Sequence, residues 1–227
     1  MLGQSALLKI TALMTGRSAL LPGGKRSAIA KHPVLGPVPI GTLGLHGDLQ
    51  VDKRHHGGPE MAVHLYPLAH HDFWREQLGD HALLDDPGAF GGNIASEGLD
   101  ETQVRIGERF RLGSALLEVS QPRMPCATIE RRFERKGMVA AILVSGRCGW
   151  YFRVIKEGEA MAGDALEAIP DSGTDHTVRE TFTALADKKA PADHQLLVSL
   201  SQCPTLSGEW RAKADSKLGD IGSVRPR

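Results

Sequence analysis

Apolar residues recur along this chain at two spacings, and the change between them divides it. In "LLKITALMTG" (7–16) β-branched and apolar side chains run together and stop at Gly16, the pattern of a strand. Residues 18–48 are dense in Gly and Pro, which predicts short strands and tight turns instead of helices. Alternation returns in "MAVHLYP" (61–67) and in "TQVRIGERFRLGSALLEVSQ" (102–121), two runs joined at Gly113-Ser114 as a hairpin. "GWYFRVIKEGEAMAGDALEAI" (149–169) predicts a strand, a turn at Glu157-Gly158 and a second strand. Helical spacing is confined to "LAHHDFWREQL" (68–78), with Leu68, Phe73, Trp74 and Leu78 as its stripe, and to a short segment around Met138–Val144. On the first of these, His70 and His71 are expected to face water. About seven short strands with turn signals between them predict a β-barrel-like domain over residues 1–170.

From Asp171 the pattern is helical. Thr177-x-x-Glu180 is a capping box that opens a helix with Val178, Phe182 and Leu185 on one face. "DHQLLVSLSQ" (193–202) and "SGEWRAKADSK" (207–217) add two short helices, with Ser207 as an N-cap. Such pieces are too short to stand alone, so residues 171–227 are expected to pack as a three-helix domain with Trp210 in its core. The fold class expected is mostly β (α+β), a barrel-like domain followed by small helices.

At 227 residues, 41% hydrophobic and 24% charged, the chain has an ordinary globular composition. No apolar run is long enough to span a membrane, and the start lacks a secretory pattern. Three cysteines, Cys126, Cys148 and Cys203, do not make a paired framework, so free thiols and a cytoplasmic location are expected. Formal net charge is zero, which leaves no global field to draw nucleic acid or membranes. The charge is uneven, however. Residues 1–58 hold seven Lys/Arg against two Asp/Glu, whereas residues 59–120 hold four against eleven. Positive excess therefore collects before "HHGG" and again around Cys126, and an anion site forms if those two regions meet.

Cys126 draws attention through its company. Pro122 and Pro125 shape the loop, while Arg123, Arg131 and Arg132 would favour a thiolate, the form that attacks electrophiles and binds soft metals. An isolated cysteine is otherwise a small buried hydrophobe, the reading given to Cys148 and Cys203. In "KRHHGGPEMAV" (53–63), Gly57 and Gly58 can adopt the positive φ of an anion-binding nest beside His56, or simply make a solvated turn. His55, His56 and His64 lack any zinc-ligand spacing. Lys31 in "SAIAKHP" is a cation for a phosphate or carboxylate, or a surface lysine. Asn93 in the glycine-rich "GAFGGNIASEGL" (88–99) offers a donor and an acceptor to a heterocycle edge, or serves a turn. The usual phosphate-loop and dinucleotide glycine patterns are absent.

Taken in order, "SAIAK", "GLHGD", "KRHHGGPEMAV", "GGNI" and "QPRMPC" resemble the MOSC-domain family, and within it the YiiM type, whose barrel is followed by a three-helix domain. The resemblance implies binding of the molybdenum cofactor, a pterin dithiolene with a terminal phosphate (molybdopterin). It further implies reduction of a small N-hydroxylated substrate with electrons from a flavin reductase. By this resemblance Cys126 is the catalytic residue and the molybdenum ligand, a soft thiolate for a thiophilic metal. His56, Gly57 and Gly58 are expected at the pterin or phosphate, Lys31 and Arg123 at the anionic charge, and Asn93 as a further cofactor-binding residue on a neighbouring loop. Two positions depart from the family pattern, Gly92 where a glutamate is usual and Thr128 where a lysine is common. A carrier of sulfur or cofactor that uses Cys126, or a decayed site that retains only partner binding, remains open, as does the oligomeric state, with a homodimer among the options.

Overall fold

The computed structural model describes residues 7–54, 56–187, 191 and 193–223. In chain order, the first strands are β1 (Leu7–Gly16), β2 (Ala19–Leu20), β3 (Arg26–Ser27), β4 (Lys31–Pro33), β5 (Val38–Gly41) and β6 (Gly44–Leu45). Next come β7 (Val63–Pro67), α1 (His70–Leu78), β8 (Ile94–Ser96), β9 (Arg109–Leu112) and β10 (Ala115–Pro122). After α2 (Ala127–Arg132) and α3 (Met138–Ser145) follow β11 (Trp150–Lys156), β12 (Gly158–Ala160) and β13 (Ala165–Ala168). The chain ends on α4 (Val178–Ala186), α5 (His194–Ser201) and α6 (Gly208–Ser223).

Seven strands close into a barrel in the order β13-β9-β10-β11-β7-β8-β1, and β1 returns to β13 through Leu8↔Leu166 and Lys9↔Ala165. Closure pairs backbone groups that an open sheet would leave on its edges. All ring pairings are antiparallel except β7 with β8. Alternating positions face inward, so Phe110, Leu112, Leu117, Val119, Phe152 and Leu166 are fully buried. The fold is thus the expected α+β barrel with C-terminal helices. Among the described residues no helix is long and apolar enough to cross a membrane.

Several sequence expectations are corrected. Glu157-Gly158 does not turn a hairpin: β11 already pairs with β10 on one side and β7 on the other. β12 therefore leaves the barrel and pairs with β5 in a separate small sheet. His70 and His71 do not face water but are buried. His70 Nε2 lies 2.7 Å from Glu101 Oε2, and His71 Nδ1 lies 2.9 Å from the Leu84 carbonyl. These partners lie well downstream, out of reach of a helical-wheel argument. α2, and the strand β8 within the glycine-rich loop, were not expected.

The helical segment is tied to the barrel. Thr177 and Glu180 form the capping box at α4, whose Val178, Phe182 and Leu185 are buried. Val178 N–H donates to Val104 at 2.8 Å, and Ser207 N–H donates to the Ser120 carbonyl of β10 at 3.0 Å. Trp210 is fully buried near Phe182, and its N–H reaches Ser207 Oγ at 3.4 Å. The start of α6 is therefore held against the strand that leads to Cys126.

Candidate functional site

β4 pairs with the end of β1 through Gly16↔Lys31, which carries the lysine to the barrel mouth. Lys31 is not a surface residue. It is buried, with its ammonium in hydrogen-bond distance of both carboxylate oxygens of Asp48. Burial lowers the Lys31 pKa and the Asp48 charge only partly restores it. Asp48 also accepts from Gly16 N–H at 2.7 Å, Asn93 Nδ2 at 2.9 Å and Gln50 Nε2 at 3.3 Å. Asn93 donates as well to the Met14 carbonyl at 3.2 Å, and its Oδ1 accepts from His64 N–H at 3.1 Å. Its side chain is thus engaged with β1, β7 and Asp48, a rivet beneath the wall.

The second wall rises from the end of β10, where Pro122 pairs with Trp150. Arg123 N–H donates to the Gly149 carbonyl at 3.1 Å, and the guanidinium is buried with Nη1 lacking a partner. Gly149 is at φ 69°, and a Cβ there would stand 2.4 Å from the Leu65 carbonyl oxygen and 2.8 Å from His64 Nε2. Only glycine lets the two strands approach so closely. Burial, then the Arg123 and Lys31 charges, pull His64 down to about 3, outweighing its hydrogen bonds, so the ring is neutral. Its Nδ1 lies 3.3 Å from the Gly91 carbonyl, while Nε2 faces Gly149 and the Cys148 backbone.

Cys126 follows at the threshold of α2, half-buried, with Sγ 3.8 Å from His56 Nε2. Burial by itself would raise the thiol. His56, the Arg123 charge and hydrogen bonds from the Thr128 side chain and backbone outweigh it and lower the pKa to about 6. A thiolate therefore predominates at neutral pH. Thr128, which departs from the family pattern, supports that thiolate. Arg132 does not contribute as expected: it turns away to the Ala89 carbonyl at 2.8 Å and Asp86 at 3.3 Å. Arg131 is exposed and is not among the groups acting on the thiol.

Lys31, His56, Gly57, Asn93, Arg123 and Cys126 all line one cleft, with about 740 Å³ of space counting its open mouth. Lys25 and Arg26 join them at the rim, so the two positive stretches of sequence do meet. Gly58 is not part of the lining; at φ 89° it starts the short turn Pro59–Met61, which places Met61 on the wall. His55 lies outside the described residues. Asp48, His64 and Tyr151 line the cleft without having been singled out as its residues. The position of Asp48 in "GLHGD" was the available signal. At Gly92 a Cβ would lie 3.2 Å from Tyr66 Cβ and 3.3 Å from the Tyr66 nitrogen, a tight fit that a larger residue would relieve by shifts of a few tenths of an ångström. Among the described residues no group of three His, Cys, Asp or Glu could hold a metal ion.

Comparison with known proteins places this geometry. The MOSC domain model matches residues 52–167. Protein YiiM of Escherichia coli (strain K12) is 37% identical over 196 residues, 86% of each chain. The chain belongs to the MOSC-domain family. That family is linked to molybdenum-cofactor binding. The crystal structure of YiiM from Escherichia coli superposes with a TM-score of 0.76 at 27% identity, covering 97% of this chain and 96% of that one. A protein named as a reductase from Gibberella moniliformis is 36% identical over 165 residues, 72% of this chain but 29% of that protein.

Proposed function

We propose that the cleft binds the molybdenum cofactor and that the protein is an oxidoreductase reducing N-hydroxylated bases and related compounds, with electrons from a flavin reductase. The observation that carries this reading is a thiolate with a pKa of about 6 in the same cleft as the buried cations Lys31 and Arg123. The residues suit the group. Cys126 would offer one soft thiolate to a metal that brings its own sulfur ligands. Arg123 Nη1 is a buried polar atom without a hydrogen-bond partner, on a residue that lines the cleft. An acceptor oxygen of a pterin phosphate would satisfy it.

When bound, the cofactor supplies two-electron chemistry: an N-hydroxylated amine, two electrons and two protons give the amine and water, with the N–O bond broken. The chain's residues bind and orient. Cys126 Sγ would be the ligand, His56 Nε2 and Thr128 stabilise its negative charge, and Arg123 would balance the anionic group beside a Lys31 already paired with Asp48. Asn93 is a positioning residue, since it holds Asp48, which holds Lys31. Gly57, at φ 87°, lets the chain pass Gln50 beside His56. The reductase name of the fungal relative supports the reaction class. A sulfur-carrier reading uses the same thiolate but leaves the buried Arg123 Nη1 without a use.

The test is reconstitution. Protein purified from a cofactor-producing cell, mixed with a flavin reductase and reduced nicotinamide, is expected to convert an N-hydroxylated purine to the amine. Absence of turnover by molybdenum-loaded protein across several flavin reductases would sink the reductase reading.

A further inference from the structure

The cleft is one of two chambers that share a wall. Lys25, Asp52, His56, Met61, Cys126, Thr128 and Tyr151 line both. Beyond that wall the outer chamber, about 1170 Å³ with its open side, is completed by Gln121, Met124, Pro125 and Ala127, and by Glu209 from α6. The chambers differ in charge. The inner one holds Lys25, Arg26, Lys31 and Arg123 against Asp48 and Asp52, and Asp48 is already matched by Lys31. The outer one shares Lys25 and Asp52 with the inner one and adds Arg54 and Glu209, the latter flanked by Lys213, over methionine and proline surface. An anionic cofactor favours the first. A small, flat organic base fits the second, where apolar contact holds its body and a carboxylate meets its polar end.

We propose that the outer chamber is the substrate site and that Glu209 is a specificity-determining residue, selecting bases with a cationic or N–H-donating head over acidic compounds. The proposal deepens the reductase reading and rests on it for the reaction, though not for the binding preference. Lys213, one turn along α6, pairs with Glu209 Oε1, while no hydrogen bond reaches Oε2 among the described residues. The Glu209 side chain is 60% exposed, so a ligand head reaches it without breaking a buried contact. Its place is nevertheless fixed. Trp210 beside it is fully buried, and Ser207 is bonded to Ser120 of the strand that leads to Cys126. The C-terminal helices thereby contribute a charge to a chamber whose reactive group lies on the barrel.

Calorimetric titration of the cofactor-loaded full chain with benzamidine and with benzoate, a cation and an anion of similar shape, tests this. Wild type is expected to bind benzamidine more tightly. Glu209→Gln is expected to lower benzamidine affinity about threefold, the scale of one exposed ion pair. Glu209→Lys reverses the local charge and is expected to shift the benzamidine-to-benzoate ratio about tenfold. Molybdenum per chain should match wild type in both variants. No benzamidine binding by wild type, or an unchanged ratio in Glu209→Lys, overturns the proposal. If benzamidine selectivity follows Glu209 but no N-hydroxylated compound is turned over, the reductase reading fails and the chamber assignment stands.

Discussion

On the inner wall, Lys31, Asp48 and Asn93 are buried and bonded to one another and to the backbone of β1 and β7. On the outer wall, Cys126 is half-buried and its nearest ring partner, His56 Nε2, stands 3.8 Å from Sγ. The first arrangement is rigid because any missing partner leaves a charge stranded out of water. The second is reactive because its charge is stabilised by contacts that still leave one side open. The contrast separates what shapes the cleft from what acts in it, and it makes substitutions on the two walls fail in different ways.

The largest effect is expected at Asp48→Ala, which leaves the Lys31 ammonium buried and unpaired. Removing one partner of a buried pair costs about 3–5 kcal/mol. Urea denaturation should record that loss, and the double variant Lys31→Met with Asp48→Leu should recover the part due to the stranded charge, though not the part due to the Gly16 and Asn93 donors that Asp48 also accepts from. A loss below about 1 kcal/mol for Asp48→Ala would erase the distinction between the walls, because that is the scale of an exposed pair. Gly149→Ala comes next, at about 2–3 kcal/mol, since a Cβ meets the Leu65 carbonyl oxygen at 2.4 Å and φ is 69°. Thermal unfolding measures this, and a neutral outcome would mean that β7 and β11 can separate freely.

Outer-wall substitutions should move ionisation more than stability. In cofactor-free protein the rate of iodoacetamide alkylation of Cys126 is expected to rise with pH around a midpoint near 6. His56→Ala and Thr128→Val should each raise that midpoint by about one unit, the scale of one hydrogen bond to a charged group. A midpoint that stays near 6 in both variants would remove His56 and Thr128 as supports. The same ionisation reaches into the pH dependence of stability. The folded thiol ionises at about 6 and an ordinary one at about 9, so the unfolded chain binds more protons between them. The contribution from Cys126 is therefore complete above about pH 9 and is lost as pH falls through about 6. Cys126→Ser should flatten that slope in urea titrations at several pH values.

The same contrast explains what the sequence made legible. Cys126 could be read locally, because prolines and Arg123 surround it within a few residues. The closed barrel was foreshadowed by alternating runs such as 102–121, whose hairpin is β9 and β10. The inner wall was harder to read. Asp48 meets Lys31 and Asn93 only once β4 has paired with β1, and neither Lys31 nor Asp48 lies within the segment matched by the MOSC model. His70 reads as exposed until Glu101 is folded against it, and Glu157-Gly158 reads as a hairpin until both sides of β11 are seen to be taken. Local chemistry is written locally, whereas buried ion pairs depend on long-range register.

The central claim is that Cys126 binds molybdenum in this cleft. Its most direct test is the molybdenum and pterin content of protein purified from a cofactor-producing cell, wild type beside Cys126→Ala. The expected result is near-stoichiometric metal in the wild type and its loss in the variant, with the variant still folded by far-ultraviolet circular dichroism. Equal metal in both proteins would contradict the claim, as would a metal-free wild type whose Cys126 carries a persulfide.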